Sequence, residues 1–150
     1  MPGFHLLSET QHLTPYLQYQ DLSQYHQLKH GIFTRHGGVS HSPYDSLNTS
    51  NEVGDSKKNV AENLMIIKRT MGARRILFTQ QTHGTEVLIV GTETTETFGS
   101  SWQADAMLTN ISGVGLMIKQ ADCQAVILFN PRANVIANVH CGWRGNVKNI

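Results

Sequence analysis

His83, Cys123 and His140 are the residues of this sequence whose types best suit a shared reactive centre. They stand in Gln81-Thr82-His83-Gly84, in Ala121-Asp122-Cys123 and in His140-Cys141-Gly142-Trp143-Arg144-Gly145. Each follows a stretch that reads as a strand or strand-like run, and strand ends are where a sheet projects side chains into one crevice. A His/Cys/His set is the kind of three-donor combination that leaves one zinc position open for water or substrate. Gly84 and Gly142, beside two of the donors, permit close backbone approach. The donors are too far apart in sequence for a short zinc signature of the Cys-x-x-Cys type. The residues alone therefore leave plainer alternatives open: a histidine satisfied within the structure, and a cysteine packed as a small core residue.

Four further residues could serve the same chemistry. Arg144 follows Trp143 where a helix is expected to start, so free amides and a guanidinium could hold one anion, or the guanidinium could simply stack on Trp143. Arg35, before Gly37-Gly38, is a second candidate anion holder or a surface turn residue. Asp122 could act as a base or orient a ligand, and as a turn residue needs no function. Asn48 in Ser46-Leu47-Asn48 could contact a polar ligand or close an Asx-turn. Cys141 would point to the face opposite His140 if the strand continues, which favours His140 as the donor.

The elements that must position these residues follow from periodicity and turn chemistry. Val60, Leu64, Ile67 and Met71 recur at helical spacing and predict a helix over 56–71. Asp55 or Ser56 is placed to cap it, Lys68 and Arg69 suit its last turns, and Gly72 stops it. A short helix is expected around Tyr16 to Tyr25. Strands are expected at Leu28–Thr34, Arg75–Thr79 and Glu86–Val90. Asp105–Thr109 and Val114–Lys119 read as a hairpin around Asn110-Ile111-Ser112-Gly113. Ala125–Phe129 reads as a strand buried on both faces, followed by a turn over 130–134 and a last strand, Val135–Val139. Residues 40–55 read as a long ordered loop, a type that is usually functional. Thr92–Ser101 reads as a polar connection. Asn146–Ile150 resembles the first turns of a helix, too short to stand alone. The reading is therefore of one domain over 1–150, the N-terminal portion of a longer protein, with 1–27 an extension of unassigned role.

The 150 residues carry 12 Lys and Arg against 11 Asp and Glu, a formal net charge of +1. That balance does not suit nonspecific nucleic-acid binding, which relies on many cations against phosphate. No apolar run approaches the roughly 18 residues that span a bilayer, and the start has no charged segment leading an apolar one. Two cysteines make no disulfide framework, so a cytoplasmic location is expected. Six of the eight histidines precede residue 42 in polar surroundings and read as solvated.

In order along the chain come Thr34-Arg35-x-Gly37-Gly38-Val39-Ser40, Tyr44-x-Ser46-Leu47-Asn48, Val53-Gly54-Asp55, Gln81-x-His83-Gly84-x-x-Val87, Asp105-Ala106, Ala121-Asp122-Cys123 and His140-x-Gly142-Trp143-Arg144-Gly145. Over about residues 28–150 this set resembles the YfiH-like family, also called the laccase-domain or polyphenol-oxidase family. The resemblance implies an α+β fold in an α/β/β/α layered arrangement with mixed β-sheets, here incomplete at the C-terminus. It implies a zinc site at His83, Cys123 and His140, and purine nucleoside phosphorylase activity with adenosine deaminase side activity. Catalytic roles would then fall to His83, Cys123, His140 and Asp122, and substrate binding to Arg35, Asn48 and Arg144. Cys141, Thr49-Ser50, Gln120 and Ala125 depart from the family pattern around the pocket, where substrate preference is set.

The implied partners are purine nucleosides and phosphate, with no nucleic acid and no membrane; a homo-oligomer is left open. Three rivals stand beside this reading. They are a copper-dependent polyphenol oxidase, as the family's older name implies; a metal-free Cys–His hydrolase; and an inactive fragment or partner-binding remnant.

Overall fold

A computed structural model describes residues 4–7, 14–93 and 102–150. Most of the expected polar connection, from residue 94 to 101, lies outside the described residues. The chain forms two compact units, Met1–Gly72 and Ala73–Ile150.

In the first unit, β1 (Phe4–Leu7), β2 (Tyr16–Tyr19) and β3 (Ile32–Phe33) form an antiparallel sheet in that order. The helix expected over Tyr16–Tyr25 is therefore a strand for its first four residues, and only α1 (Gln20–Ser23) is helical. Aromatic residues favour strands, and Tyr16 is buried with its ring 5.4 Å from that of Phe33. The strand expected at Leu28–Thr34 shrinks to two residues. His30, just before it, turns its backbone carbonyl to the Gln18 amide and accepts the Tyr19 N–H on its ring.

The helix α2 (Lys57–Met71) follows the periodicity. Val60, Leu64 and Ile67 are buried, and Gly72 closes the helix at φ 61°, where a Cβ would be strained. Ser56 occupies the capping position without a side-chain cap bond; Asp55 accepts the Ser56 N–H at 2.7 Å. The long loop from 35 to 55 is ordered by Asn63, a polar residue on the buried side of α2. Its amide donates to Ser40 Oγ and to the carbonyls of Ser46 and Asn48, and accepts the Val39 N–H.

The second unit carries the histidine and cysteine motifs. β4 (Arg75–Leu77) pairs in parallel with β7 (Val114–Leu116). A four-stranded mixed sheet runs β5 (Val87–Ile89), β6 (Ala106–Thr109), β9 (Val135–Cys141), β8 (Gln124–Asn130). The β5–β6 pair is parallel and the other two pairs are antiparallel. Leu77, Val90, Met107 and Val114 form the buried core, joined by Leu88, Ile111, Leu116 and Ile118.

Two sequence expectations fail here. β6 and β7 are adjacent in sequence but belong to different sheets, so no hairpin forms between them. Gly113, at φ 78°, turns its carbonyl to the N–H groups of Arg74 and Arg75, which hands β7 to β4. β8 is not buried on both faces. It is a sheet edge with alternating exposure, and Val126 and Leu128 are 39% and 53% exposed. An apolar run alone cannot distinguish these cases, because partners decide burial. The registers put Val126 and Leu128 on the same sheet face as Val87 and Ile89, which are 51% and 70% exposed. After β9 comes α3 (Trp143–Val147), which begins three residues before the helical turns expected at Asn146.

No described helix is long and apolar enough to cross a membrane.

Candidate metal centre

His83 lies in the loop after β4, Cys123 immediately before β8, and His140 is the penultimate residue of β9. The β8–β9 pairing sets Gln124 opposite Cys141 and Ala125 opposite His140, which brings Cys123 to the same end of the sheet as His140. One donor atom from each of His83, Cys123 and His140 lies within 4.8 Å of the other two. The two imidazole rings meet edge to face at 4.8 Å, and Cys123 Sγ is 3.8 Å from His83 Nε2.

This set fits a metal ion. Donors about 2.0–2.3 Å from a tetrahedral zinc stand roughly 3.3–3.8 Å apart, so a small closure would bring all three to binding distance and leave the fourth position open. Gly142 is the floor of the cradle. A Cβ there would lie 2.8 Å from His83 Cδ2, 3.3 Å from Cys123 Sγ and 3.4 Å from His140 Cε1. Exposure grades across the set: His83 is exposed, Cys123 half-buried and His140 buried, which leaves the centre open on one side.

Asp105, one residue before β6, stands in the Asp105-Ala106 motif, where nothing local assigns it a role. It is fully buried. Its Oδ2 accepts the N–H groups of Thr82 and Gly84 and the Thr82 hydroxyl, at 2.8–3.0 Å. Its Oδ1 accepts the His83 N–H at 2.9 Å and pairs with His140 Nδ1 at 2.8 Å. Burial by itself would raise its pKa, but hydrogen bonds from His140, Gly84 and Thr82 outweigh burial and hold the carboxyl at about 2. The available signal was an acid embedded in the run Ala-Asp-Ala-Met-Leu, where a buried charge must be paired.

The other candidates divide between the two units. Asp122 is exposed beside Cys123. Burial first, and then Asp122, push the Cys123 thiol pKa up. Arg144 sits on α3 with its guanidinium 5.3 Å from the centre of the Trp143 ring, the stacked arrangement. Arg35 and Asn48 belong to the first unit. Arg35 donates to the Asp45 carbonyl at 2.8 Å and lies 3.7 Å from its carboxylate. Asn48 closes an Asx-type turn onto Ser50 and donates to Asp55 at 2.9 Å. The structure thus brings His83, Cys123 and His140 together, with Asp122 adjoining, while Arg35 and Asn48 are built into the loop ordered by Asn63.

The family described as "Multi-copper polyphenol oxidoreductase laccase" matches residues 29–150. Among the relatives, a purine nucleoside phosphorylase of Bacteroides thetaiotaomicron is 32% identical over 141 residues, covering 89% of this chain and 52% of its own length. Purine nucleoside phosphorylase YfiH of Escherichia coli is 38% identical over 116 residues, covering 75% of this chain and 45% of its own. The crystal structure of YlmD from Geobacillus stearothermophilus superposes with a TM-score of 0.74 at 26% identity, over 93% of this chain and 53% of that one. The chain spans about half the length of the curated relatives it matches. With 122 consecutive residues matched and the same α+β arrangement of mixed sheets in a solved relative, the chain belongs to this YfiH-like, laccase-type family.

Proposed function

We propose that this chain carries the metal centre of a zinc-dependent purine nucleoside enzyme. It would phosphorolyse purine nucleosides to base and ribose 1-phosphate, and deaminate adenosine as a second reaction. The convergence of His83, Cys123 and His140 around Gly142 carries the reading. The purine nucleoside phosphorylase names of the relatives supply the substrate class.

Bound by these three donors, zinc would supply a Lewis acid and a water of lowered pKa at neutral pH. In phosphorolysis a phosphate oxygen attacks ribose C1′, and the glycosidic electron pair leaves with the purine. In deamination water adds at purine C6 and ammonia leaves. Arg144 would hold phosphate, because a planar guanidinium matches its oxygens in a fork, and Asp122 would carry a proton beside Cys123.

Two rivals meet specific obstacles. A metal-free Cys–His hydrolase needs a thiol whose pKa is lowered, whereas burial and Asp122 push that of Cys123 up. A laccase needs several coppers. Among the described residues, His83, Cys123 and His140 are the one group of three or more His, Cys, Asp or Glu side chains placed to hold a metal.

The test is phosphate-dependent release of free base from inosine or adenosine by the zinc-loaded protein, with ribose 1-phosphate as co-product, and its loss in Cys123→Ala. Oxygen consumption with a phenol and copper, and no nucleoside turnover, would instead establish the oxidase.

A further inference from the structure

We infer that Asp105 is the positioning residue of the metal centre, holding two of its three donors in binding geometry through one buried carboxylate. This rests on the metal-centre reading above. His83 has φ 57°, a left-handed backbone that a residue with a Cβ rarely adopts. The N–H groups of Thr82, His83 and Gly84 all converge on the Asp105 carboxylate, at 3.0, 2.9 and 2.8 Å. Successive amides turned toward one anion form a nest, and a left-handed residue is what such a nest requires. The carboxylate thus compensates the uncommon conformation that presents the His83 ring to Cys123.

The same group fixes the other histidine. An ionised carboxylate only accepts hydrogen bonds, so His140 Nδ1 must donate the 2.8 Å bond. In a neutral imidazole this leaves Nε2 unprotonated and free to bind a metal. The backbone reinforces the arrangement, since the His140 N–H donates to the Asp105 carbonyl at 2.6 Å. Asp105 touches neither substrate nor metal in this account; it acts through His83 and His140.

Asp105→Asn makes the inference testable. An amide has one accepting oxygen, so its NH2 must face either the Thr82 and Gly84 N–H groups or the pair His83 N–H and His140. In the second case His140 is driven to the opposite tautomer, with its proton on Nε2. The experiment is ¹⁵N NMR of the metal-free protein to assign the His140 tautomer, with zinc affinity measured by competition against a chromophoric chelator. The wild type should show the Nδ1-protonated form. Asp105→Asn should lose it where the new NH2 faces His140, and in either orientation, with one side of the carboxylate's partners left unpaired, should bind zinc about 10- to 100-fold more weakly. If the variant does not fold, the wild-type tautomer still decides, and an Nε2-protonated His140 there overturns the inference. Zinc binding within twofold of wild type in a folded Asp105→Asn also overturns it and leaves the metal reading standing. A wild type with the Nδ1-protonated tautomer that takes up no zinc overturns the metal reading instead.

Discussion

Replacing Asn63 by alanine should cost the first unit a large part of its stability, although the residue lies far from either histidine motif in sequence. Its side chain is fully buried on α2. The amide donates to Ser40 Oγ at 2.9 Å, to the Ser46 carbonyl at 3.1 Å and to the Asn48 carbonyl at 2.8 Å, and its oxygen accepts the Val39 N–H at 2.8 Å. Some of these partners have second bonds. The Ser46 carbonyl also accepts the Ser40 N–H, and Ser40 Oγ donates to Asp55. The Val39 N–H and the Asn48 carbonyl would lose the bonds that tie them to α2.

At about 1–3 kcal/mol for each backbone group left unpaired, the loss lies between about 2 and 6 kcal/mol. Alanine recovers less than about 0.7 kcal/mol through helix propensity. Val39 is 39% exposed, so water can partly replace its bond, which places the expected loss near the lower end, about 2–3 kcal/mol. In urea this corresponds to a midpoint lowered by on the order of 1–2 M. Circular dichroism at 222 nm reads it, because α2 is the longest described helix and lies in this unit. A midpoint within about 0.3 M of wild type would refute the claim that Asn63 organises the loop carrying Arg35 and Asn48.

Three other outcomes follow from particular contacts. Gly142→Ala should weaken zinc binding at least about tenfold while leaving far-UV dichroism unchanged, because the new methyl meets all three donors; unchanged affinity would contradict the cradle. His30 is buried, and burial lowers its pKa below the ordinary histidine value of 6.5. The unfolded chain therefore takes up this proton first, so stability holds above pH 6.5 and falls as pH drops from there toward the lower folded value. Urea midpoints at pH 7.5 and 5.5 should separate in the wild type and move closer together in His30→Gln, which can still accept the Tyr19 N–H; equal pH dependence in both would remove His30 as the cause. Ile89→Lys with Leu128→Lys should leave stability within about 0.5 kcal/mol and reduce binding of an apolar dye, since both side chains are more than half exposed. A large loss of stability would show that this sheet face is covered in solution.

How far the sequence could be read depended on whether a signal was local. Val60, Leu64, Ile67, Met71 and Gly72 repeat or punctuate within a few residues, and α2 came out as expected. Nothing local marks Asn63, because its importance lies in the loop it meets, up to 24 residues away. The turn signal at Asn110–Gly113 was real as a turn. Its flanking strands nevertheless pair elsewhere, with β4 and with β5 and β9, which is decided by distant partners. The apolar run of β8 gave its position but not its edge location. The three donors were legible as residue types in glycine-containing motifs, whereas their convergence needed the β8–β9 register. Asp105 was hidden because a single acid in an apolar stretch does not announce which amides it will collect.

The most direct test of the account is the zinc content of the purified chain, by elemental analysis, beside Cys123→Ala and His140→Ala. One zinc per folded wild-type chain is expected, and loss of it in both variants with their far-UV dichroism retained. A well-folded wild type without zinc after exposure to it, or full occupancy in Cys123→Ala, would contradict the metal centre.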